Sequence, residues 1–164
     1  MPTAQLYGWK EFIYSGVAPP RSPSDRVTAP YAADINALRR RLRGVPSSAI
    51  VQTVRGFVDT FRAAALAADN TGRYIAANER AAALTGYSCS ELLGMTVKDL
   101  TPAMRQDAAG ELWPKFIQAG WQAGDYVLQR KDGSPVGIHY SAYASVAPGV
   151  HVSVLTPLEV PSSI

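Results

Sequence analysis

The sequence has little of the chemistry that enzymes and metalloproteins use. Among 164 residues there are one cysteine, Cys89, and two histidines, His139 and His151. A single cysteine cannot form an internal disulfide, which fits a reducing compartment. An active site needs a nucleophile with a base, a carboxylate pair or a set of metal ligands, and no such group converges along the chain. We therefore expect a protein that is not an enzyme and holds no metal.

Long apolar runs are also missing. No segment approaches the roughly 20 apolar residues that a membrane-spanning helix needs, and the N-terminus lacks the apolar core of a signal peptide. The net charge is only +3, and it comes partly from Arg39, Arg40, Arg41 and Arg43. These features predict a cytoplasmic protein with no membrane contact and one local basic patch.

Hydrophobic residues, by contrast, make up 47% of the chain, enough to bury the core of a single domain. The clearest local pattern lies in "DNTGRYIAANERAAALTGYSCSELLG", residues 69–94. Gly72 can supply the positive φ of a tight turn between apolar runs at 64–68 and 74–77. The pattern therefore predicts two strands joined by a turn.

Two short helices are predicted after the second strand. Asn78 stands at an N-cap position, and Gly86 is placed to end the helix that follows. Ser88 and Glu91 then form a capping box for the next helix. We interpret Asn78 as a residue of the fold and not of a ligand site.

The order of turn, strand, Asn-capped helix, "LTGYS" and "ELLG" resembles the N-terminal half of a PAS domain, a sensor fold common in bacterial signalling. Downstream, an apolar-striped helix at 103–119 leads into "YVLQRKDGSPVGIHYSAYAS", which is similar to the two long PAS strands and their RKDG turn. "GVHVSVLTPLE" resembles the last strand. The resemblance covers residues 58–158 and implies an α+β fold, a five-stranded antiparallel sheet with short helices on one face.

The flanking segments are interpreted from their own residues. Prolines within residues 1–30 favour an extended arm, and residues 159–164 form a short tail. A helical extension is predicted at 31–61, beginning with an amphipathic helix at 31–43. Its second helix, at 47–61, leads into the first strand and carries an apolar stripe at the 3.6-residue period: Ile50, Val51, Val54, Phe57, Val58 and Phe61.

This apolar stripe predicts homodimerisation. It is wider than a coiled-coil seam and wide enough to cover the outer face of the sheet while leaving surface for a partner. PAS domains that resemble this chain often pair through flanking helices. The alternative is that the stripe is used entirely within one subunit, which needs no dimer.

The signal is also expected to leave this protein through contacts with another protein chain. Only Val-Pro-Ser-Ser-Ile follows Glu159, so we expect the signal to pass to a second copy or to a signalling protein. The two N-terminal helices could also form a helix-turn-helix DNA reader with Arg39–Arg41 on phosphates. The second helix, however, offers mainly apolar residues where bases would be read, so nucleic-acid binding is not expected.

The resemblance implies a cavity between the sheet and the helices. Period-two alternation and the helical stripe select seven wall candidates: Trp113, Phe116, Ile117, Tyr126, Leu128, Ile138 and Tyr140. The same residues could simply fill a core, which would make the protein a constitutive interaction module without a ligand. The tyrosines favour a small-molecule pocket, because buried hydroxyl groups need partners. The identity of the ligand does not follow from the sequence.

No cofactor is expected. LOV domains carry a "GRNCRFLQ"-like segment with a reactive cysteine after the "ELLG"-type helix, whereas this chain reads "GMTVKDLTPAMRQ" there and Cys89 comes earlier. Oxygen-sensing haem PAS domains bind iron through a histidine of the long helix, and residues 100–120 contain none. Haem held by His139 or His151 and redox sensing by Cys89, whose pKa a helix dipole could lower, are minor alternatives. We predict that the purified protein is colourless.

Overall fold

The computed structural model describes residues 31–158, except for the side chain of Ala108, so the predicted arm at 1–30 and tail at 159–164 lie outside the described residues. The described chain contains, in order, α1 (Ala32–Leu42), α2 (Ser47–Val58), β1 (Ala64–Ala68), β2 (Tyr74–Ala77), α3 (Glu79–Thr85), α4 (Cys89–Leu92), two 3₁₀ helices (Val97–Leu100 and Ala103–Arg105), α5 (Gln106–Ala119), β3 (Trp121–Gln129), β4 (Pro135–Ala147) and β5 (Val150–Pro157).

The five strands form one sheet in the order β2-β1-β5-β4-β3, and every neighbouring pair is antiparallel. The first and last strands therefore lie side by side at the centre of the sheet. Helices α1 and α2 pack on one side of it, against β4 and against β1 and β2 respectively. This architecture confirms the predicted α+β fold.

The turns and caps predicted from residues 69–94 are confirmed. Gly72 has a φ of 85° and donates its N–H to the carbonyl of Asp69 at 3.0 Å, which closes the turn between β1 and β2. The Ser88 hydroxyl accepts from the N–H of Glu91, and the Glu91 carboxylate accepts from the N–H of Ser88. Both short helices thus begin where the sequence places them.

Asn78 holds three segments of the chain together. Its Oδ1 accepts from the N–H groups of Ala81, at 2.9 Å, and Ala65, at 3.0 Å. Its Nδ2 donates to the carbonyls of Val58 and Ala63, at 3.0 and 2.9 Å. The side chain therefore caps α3 while fixing the end of α2 against the start of β1. Its predicted role in the fold is confirmed, and the connection to α2 and β1 is new.

The sheet separates two layers, which we call outer and inner. The outer layer lies between the sheet and helices α1 and α2, and its centre includes the side chains of Leu38, Val54 and Val58, all 0% exposed. The inner layer lies between the opposite face of the sheet and the elements from α3 to α5. Alternation along β1 assigns Ala67 to the outer layer and Ala68 to the inner layer.

Two helix boundaries differ from the prediction. The helix predicted at 47–61 ends at Val58, because the Phe57 carbonyl accepts from both the N–H and the hydroxyl of Thr60 and the Val58 carbonyl accepts from Asn78. Phe61 therefore lies in the connection to β1 and not on the helix. The helix predicted at 103–119 begins with the 3₁₀ turn, and α5 proper starts at Gln106.

Candidate functional site

A cavity of about 130 Å³ lies in the inner layer, between the sheet and α5. Six of the seven predicted wall residues line it: Trp113, Phe116, Tyr126, Leu128, Ile138 and Tyr140. They meet because α5 crosses the inner face, where the even-numbered residues of β3 and β4 project by strand alternation. The structure thus brings residues from two strands and one helix around a single space.

The seventh candidate, Ile117, is not among the cavity residues. It packs in a separate small cluster with Phe116 and Ala144, one step around the helix. Residues of the central strands, which were not among the predicted wall residues, also line the cavity: Leu66 and Ala68 of β1, and Ser153 and Leu155 of β5. The same alternation applied to those strands would have selected them, because both central strands present one face to the inner layer.

Tyr74, another omitted wall residue, stands at the first position of β2 and is 7% exposed. Tyr126 and Tyr140 pack edge to face with ring centroids 6.3 Å apart. The Tyr126 hydroxyl donates a long hydrogen bond of 3.4 Å to the hydroxyl of Thr101, which itself donates to the Val97 carbonyl at 2.9 Å. Burial raises the pKa of all three tyrosines, so their hydroxyl groups stay protonated at neutral pH.

The cavity wall carries little charge. Among the described residues that line it there is no lysine, arginine or histidine, and Asp125 of β3 is the acidic residue. The Asp125 carboxylate lies 2.8 Å from Nδ1 of His139, its cross-strand partner on β4. His139 therefore belongs to a half-exposed pair with Asp125 on the two outermost strands at this side of the sheet.

His151 of β5 is 2% exposed and connects the helix of the cavity to two loops. Its Nδ1 accepts from the N–H of Ser145 at 2.9 Å, so the proton of the neutral ring lies on Nε2, which donates to Oδ1 of Asn70 at 2.8 Å. Its ring packs edge to face on Trp113 and Phe116, and the Trp113 indole donates to the Asn70 carbonyl at 2.9 Å. Burial lowers the pKa of His151, while the charge of nearby Asp69 opposes that shift.

The environment of Cys89 differs from the expectation that a helix dipole lowers the pKa of its thiol. Burial raises the pKa of its thiol, and the negative carboxylate of Glu79, with Oε1 3.8 Å from Sγ, raises it further. The proposed lowering by the helix dipole is therefore wrong, because desolvation and a neighbouring carboxylate outweigh it. This environment opposes formation of the reactive thiolate.

The six residues of the α2 stripe divide into two groups. Val54 and Val58 are 0% exposed and Phe61 is also buried, so these three belong to the outer layer of their own subunit. Ile50, Val51 and Phe57 are half-buried. Only these last three retain surface with which a partner could make contact.

Within residues 31–158, no helix combines the length and apolarity needed to cross a membrane. The same part of the chain contains no group of histidine, cysteine, aspartate and glutamate residues arranged to hold a metal ion.

Solved structures share this fold. A PAS domain of a two-component sensor histidine kinase is 14% identical, with a TM-score of 0.54 over 69% of this chain and 100% of its own. A PAS domain from Colwellia psychrerythraea is 18% identical, with a TM-score of 0.56 over 66% of this chain and 97% of its own. A LOV protein from Rhodobacter sphaeroides is 16% identical, with a TM-score of 0.55 over 65% of this chain and 66% of its own. The chain therefore has the PAS fold.

The family model of the PAS domain matches residues 63–154, more than half of the chain. This protein belongs to the PAS domain family, whose members are sensory and signalling modules. No curated protein matches the chain.

Proposed function

We propose that this PAS domain is a sensor that binds a small molecule in the inner-layer cavity and passes its bound state to a partner through the N-terminal helices. The observation that carries the proposal is the cavity itself: about 130 Å³ of space in the inner layer, on the face of the sheet opposite the buried apolar side chains of the outer layer. A mostly apolar wall with a few polar groups is typical of a small-molecule site.

A route for the signal begins at the cavity wall. Trp113 lines the cavity and contacts His151 and Asn70, so a ligand that displaces α5 acts on β5 and on the turn after β1. Strand β5 pairs with β1 along its length, and α2 packs on β1 and β2. Nε of Arg55 also donates to the Ile75 carbonyl at 2.9 Å, which links α2 directly to β2. The two layers are therefore mechanically connected.

The proposed partner is a second copy of this chain. Ile50, Val51 and Phe57 leave apolar surface on α2 after the outer layer is filled, and paired copies would cover it. Contact with a different signalling protein through the same surface is the other form of output. Light scattering across a range of concentrations distinguishes a dimer from a monomer.

Ligand binding is tested with Ser153→Leu, which places a larger side chain from β5 into the cavity, and with Ser90→Leu at an exposed position of α4 as the matched control. We expect native mass spectrometry of freshly purified protein to detect a bound small molecule in the parent and in Ser90→Leu and to lose it in Ser153→Leu. An unliganded parent whose thermal stability does not respond to a library of small apolar compounds would contradict the proposal.

A constitutive dimerisation module without a ligand is the competing function. It would use the same partly exposed surface of α2, at Ile50, Val51 and Phe57, and it needs no ligand in the cavity. The same measurements separate the two functions, because such a module dimerises equally well with Ser153→Leu.

A further inference from the structure

The polar groups of the cavity wall indicate which kind of molecule the proposed sensor site accepts. Tyr74 is more than nine-tenths buried, yet its hydroxyl has no hydrogen-bond partner among residues 31–158. The hydroxyl of Tyr140, another wall residue, likewise has no partner within that part of the chain. Neither oxygen belongs to the fully buried polar atoms that lack a partner within residues 31–158, so each hydroxyl is accessible and can donate to a bound molecule that accepts a hydrogen bond.

Tyr126, the third tyrosine of the wall, also favours a ligand that accepts a hydrogen bond. The only described hydrogen bond of the Tyr126 hydroxyl, to Thr101, is 3.4 Å long, well beyond the usual O–H···O distance of about 2.7–2.8 Å. Because the Thr101 hydroxyl gives its proton to the Val97 carbonyl, Tyr126 is the donor in this pair. Burial keeps the tyrosines protonated, as described above, so the wall presents hydroxyl donors.

The charges of the wall residues also restrict which ligands can bind. An anion transferred from water into a mostly apolar cavity needs a cation beside it, and no described wall residue is a lysine, arginine or histidine. Asp125 lies on the wall and would repel an anion, and its carboxylate is paired with His139. The wall therefore disfavours carboxylates and phosphates.

Size sets the third limit. The cavity of about 130 Å³ is close to the engineered cavity of about 150 Å³ that binds benzene. It is therefore large enough for one ring with a short substituent, or for a short chain of similar volume.

We propose that the cavity selects an uncharged, mainly apolar molecule of about one ring in size whose oxygen atom accepts hydrogen bonds from Tyr74 and Tyr140. This inference rests on the proposed sensor function and narrows it to a ligand class. The two hydroxyl groups determine the preference for an acceptor, and the absence of lysine, arginine and histidine among the described wall residues disfavours the anionic analogue.

Three probes of equal heavy-atom count test the proposal: acetophenone, which is neutral and has an acceptor; isopropylbenzene, which has none; and benzoate, which is charged. Binding is measured by ligand-observed and protein-observed NMR. We expect acetophenone to bind about three- to tenfold more tightly than isopropylbenzene, the usual effect of one neutral hydrogen bond, and benzoate to bind most weakly.

The variants Tyr74→Phe and Tyr140→Phe remove each donor without changing the ring, and Tyr87→Phe is the control because Tyr87 is half-buried outside the cavity wall. We expect each cavity variant to weaken acetophenone binding about three- to tenfold and leave isopropylbenzene binding unchanged, with no change in the control. If one variant does not fold, the other variant and the order of probes on the parent protein still decide the outcome.

Two results would overturn the ligand class while leaving the sensor function in place: equal binding of acetophenone and isopropylbenzene, or benzoate as the tightest probe. Failure of the sensor function looks different. In that case no probe causes shifts in the resonances of the cavity residues, in the parent protein or in any of the variants.

Discussion

The two faces of the sheet are built from the same strands but packed to different degrees. On the outer face, Val54 and Val58 of α2 are completely buried against strand residues such as Val152, and the layer is closed by apolar contacts. On the inner face, α5 stands over a cavity lined partly by tyrosines. The apolar contacts of the outer layer stabilise the domain. The side chains around the cavity of the inner layer make fewer such contacts than they would make in a core without free volume.

This difference also explains where signalling is favourable. A filled layer of interlocking side chains transmits a displacement as a unit, whereas a layer with free volume can change its contents without unfolding. The proposed sensor function therefore assigns the response to the inner face and the support of the fold to the outer face, and the two are joined through β1 and β5 at the centre of the sheet. Four changes test how far this contrast holds.

The largest effect is expected for Val54→Asp. A carboxylate at a position that is 0% exposed has no cation to pair with in an apolar layer, so we expect a loss of about 3–5 kcal/mol in the free energy of unfolding. Circular dichroism with urea titration measures the loss. A stable Val54→Asp domain would show that the outer layer is not the supporting face.

An intermediate effect is expected from adding volume at adjacent positions of β1. Ala67→Leu forces a larger side chain into the filled outer layer, which typically costs about 1–3 kcal/mol. Ala68→Leu directs the same side chain towards the cavity and should cost less. Urea denaturation of both variants compares the layers directly, and equal losses would remove the distinction between them.

A smaller loss of folding stability is expected when the pH is lowered. Because burial lowers the pKa of His151 in the folded state, the unfolded chain binds a proton more readily below its ordinary pKa of about 6.5. The contribution of His151 to stability is therefore complete above that pH and is lost progressively as the pH falls through the lower folded pKa. Thermal unfolding between about pH 7 and pH 5 measures this decline.

The variant His151→Gln removes the titrating group, and the decline over this pH range should become shallower. His139→Gln is the control, since it leaves His151 and its partners Asn70 and Ser145 in place. An identical pH dependence in the parent protein and His151→Gln would show that the connection between α5 and the two loops does not depend on the protonation of this ring.

The smallest effect on stability is expected for Val51→Asp. Val51 is half-buried on the same helix as Val54 and lies outside the main outer cluster, so the subunit should remain folded. If α2 pairs two copies, the buried carboxylates destabilise the dimer, and light scattering should show monomers. A parent protein that is already monomeric at high concentration would contradict the dimer.

Much of this fold could be predicted because its signals are local. Asn78, Ser88 and Gly72 act on backbone groups within a few residues of themselves, and the periods of the strands and helices identify the buried faces. The end of α2 could not be predicted in this way. Val58 is its last residue partly because Asn78, twenty positions later, hydrogen-bonds to its carbonyl.

The candidate site shows the same limit. Alternation placed Tyr126 and Tyr140 on the strand face that lines the cavity, because it depends only on the pleat of one strand. Tyr74 was missed because its place in the wall depends on which strands become neighbours. The division of the α2 stripe likewise required the tertiary structure, since Val54 and Val51 have the same side chain and differ only in the direction they face.

The sequence alone therefore determined the order of the elements, their caps and the apolar face of each one, because those properties depend on neighbours along the chain. Only the tertiary structure decided that one layer is filled and the other encloses a cavity, and that the hydroxyl groups of Tyr74 and Tyr140 line that cavity without a partner in the described chain. Free volume and hydrogen-bond satisfaction arise between segments distant in sequence, so the pattern of any single segment cannot encode them.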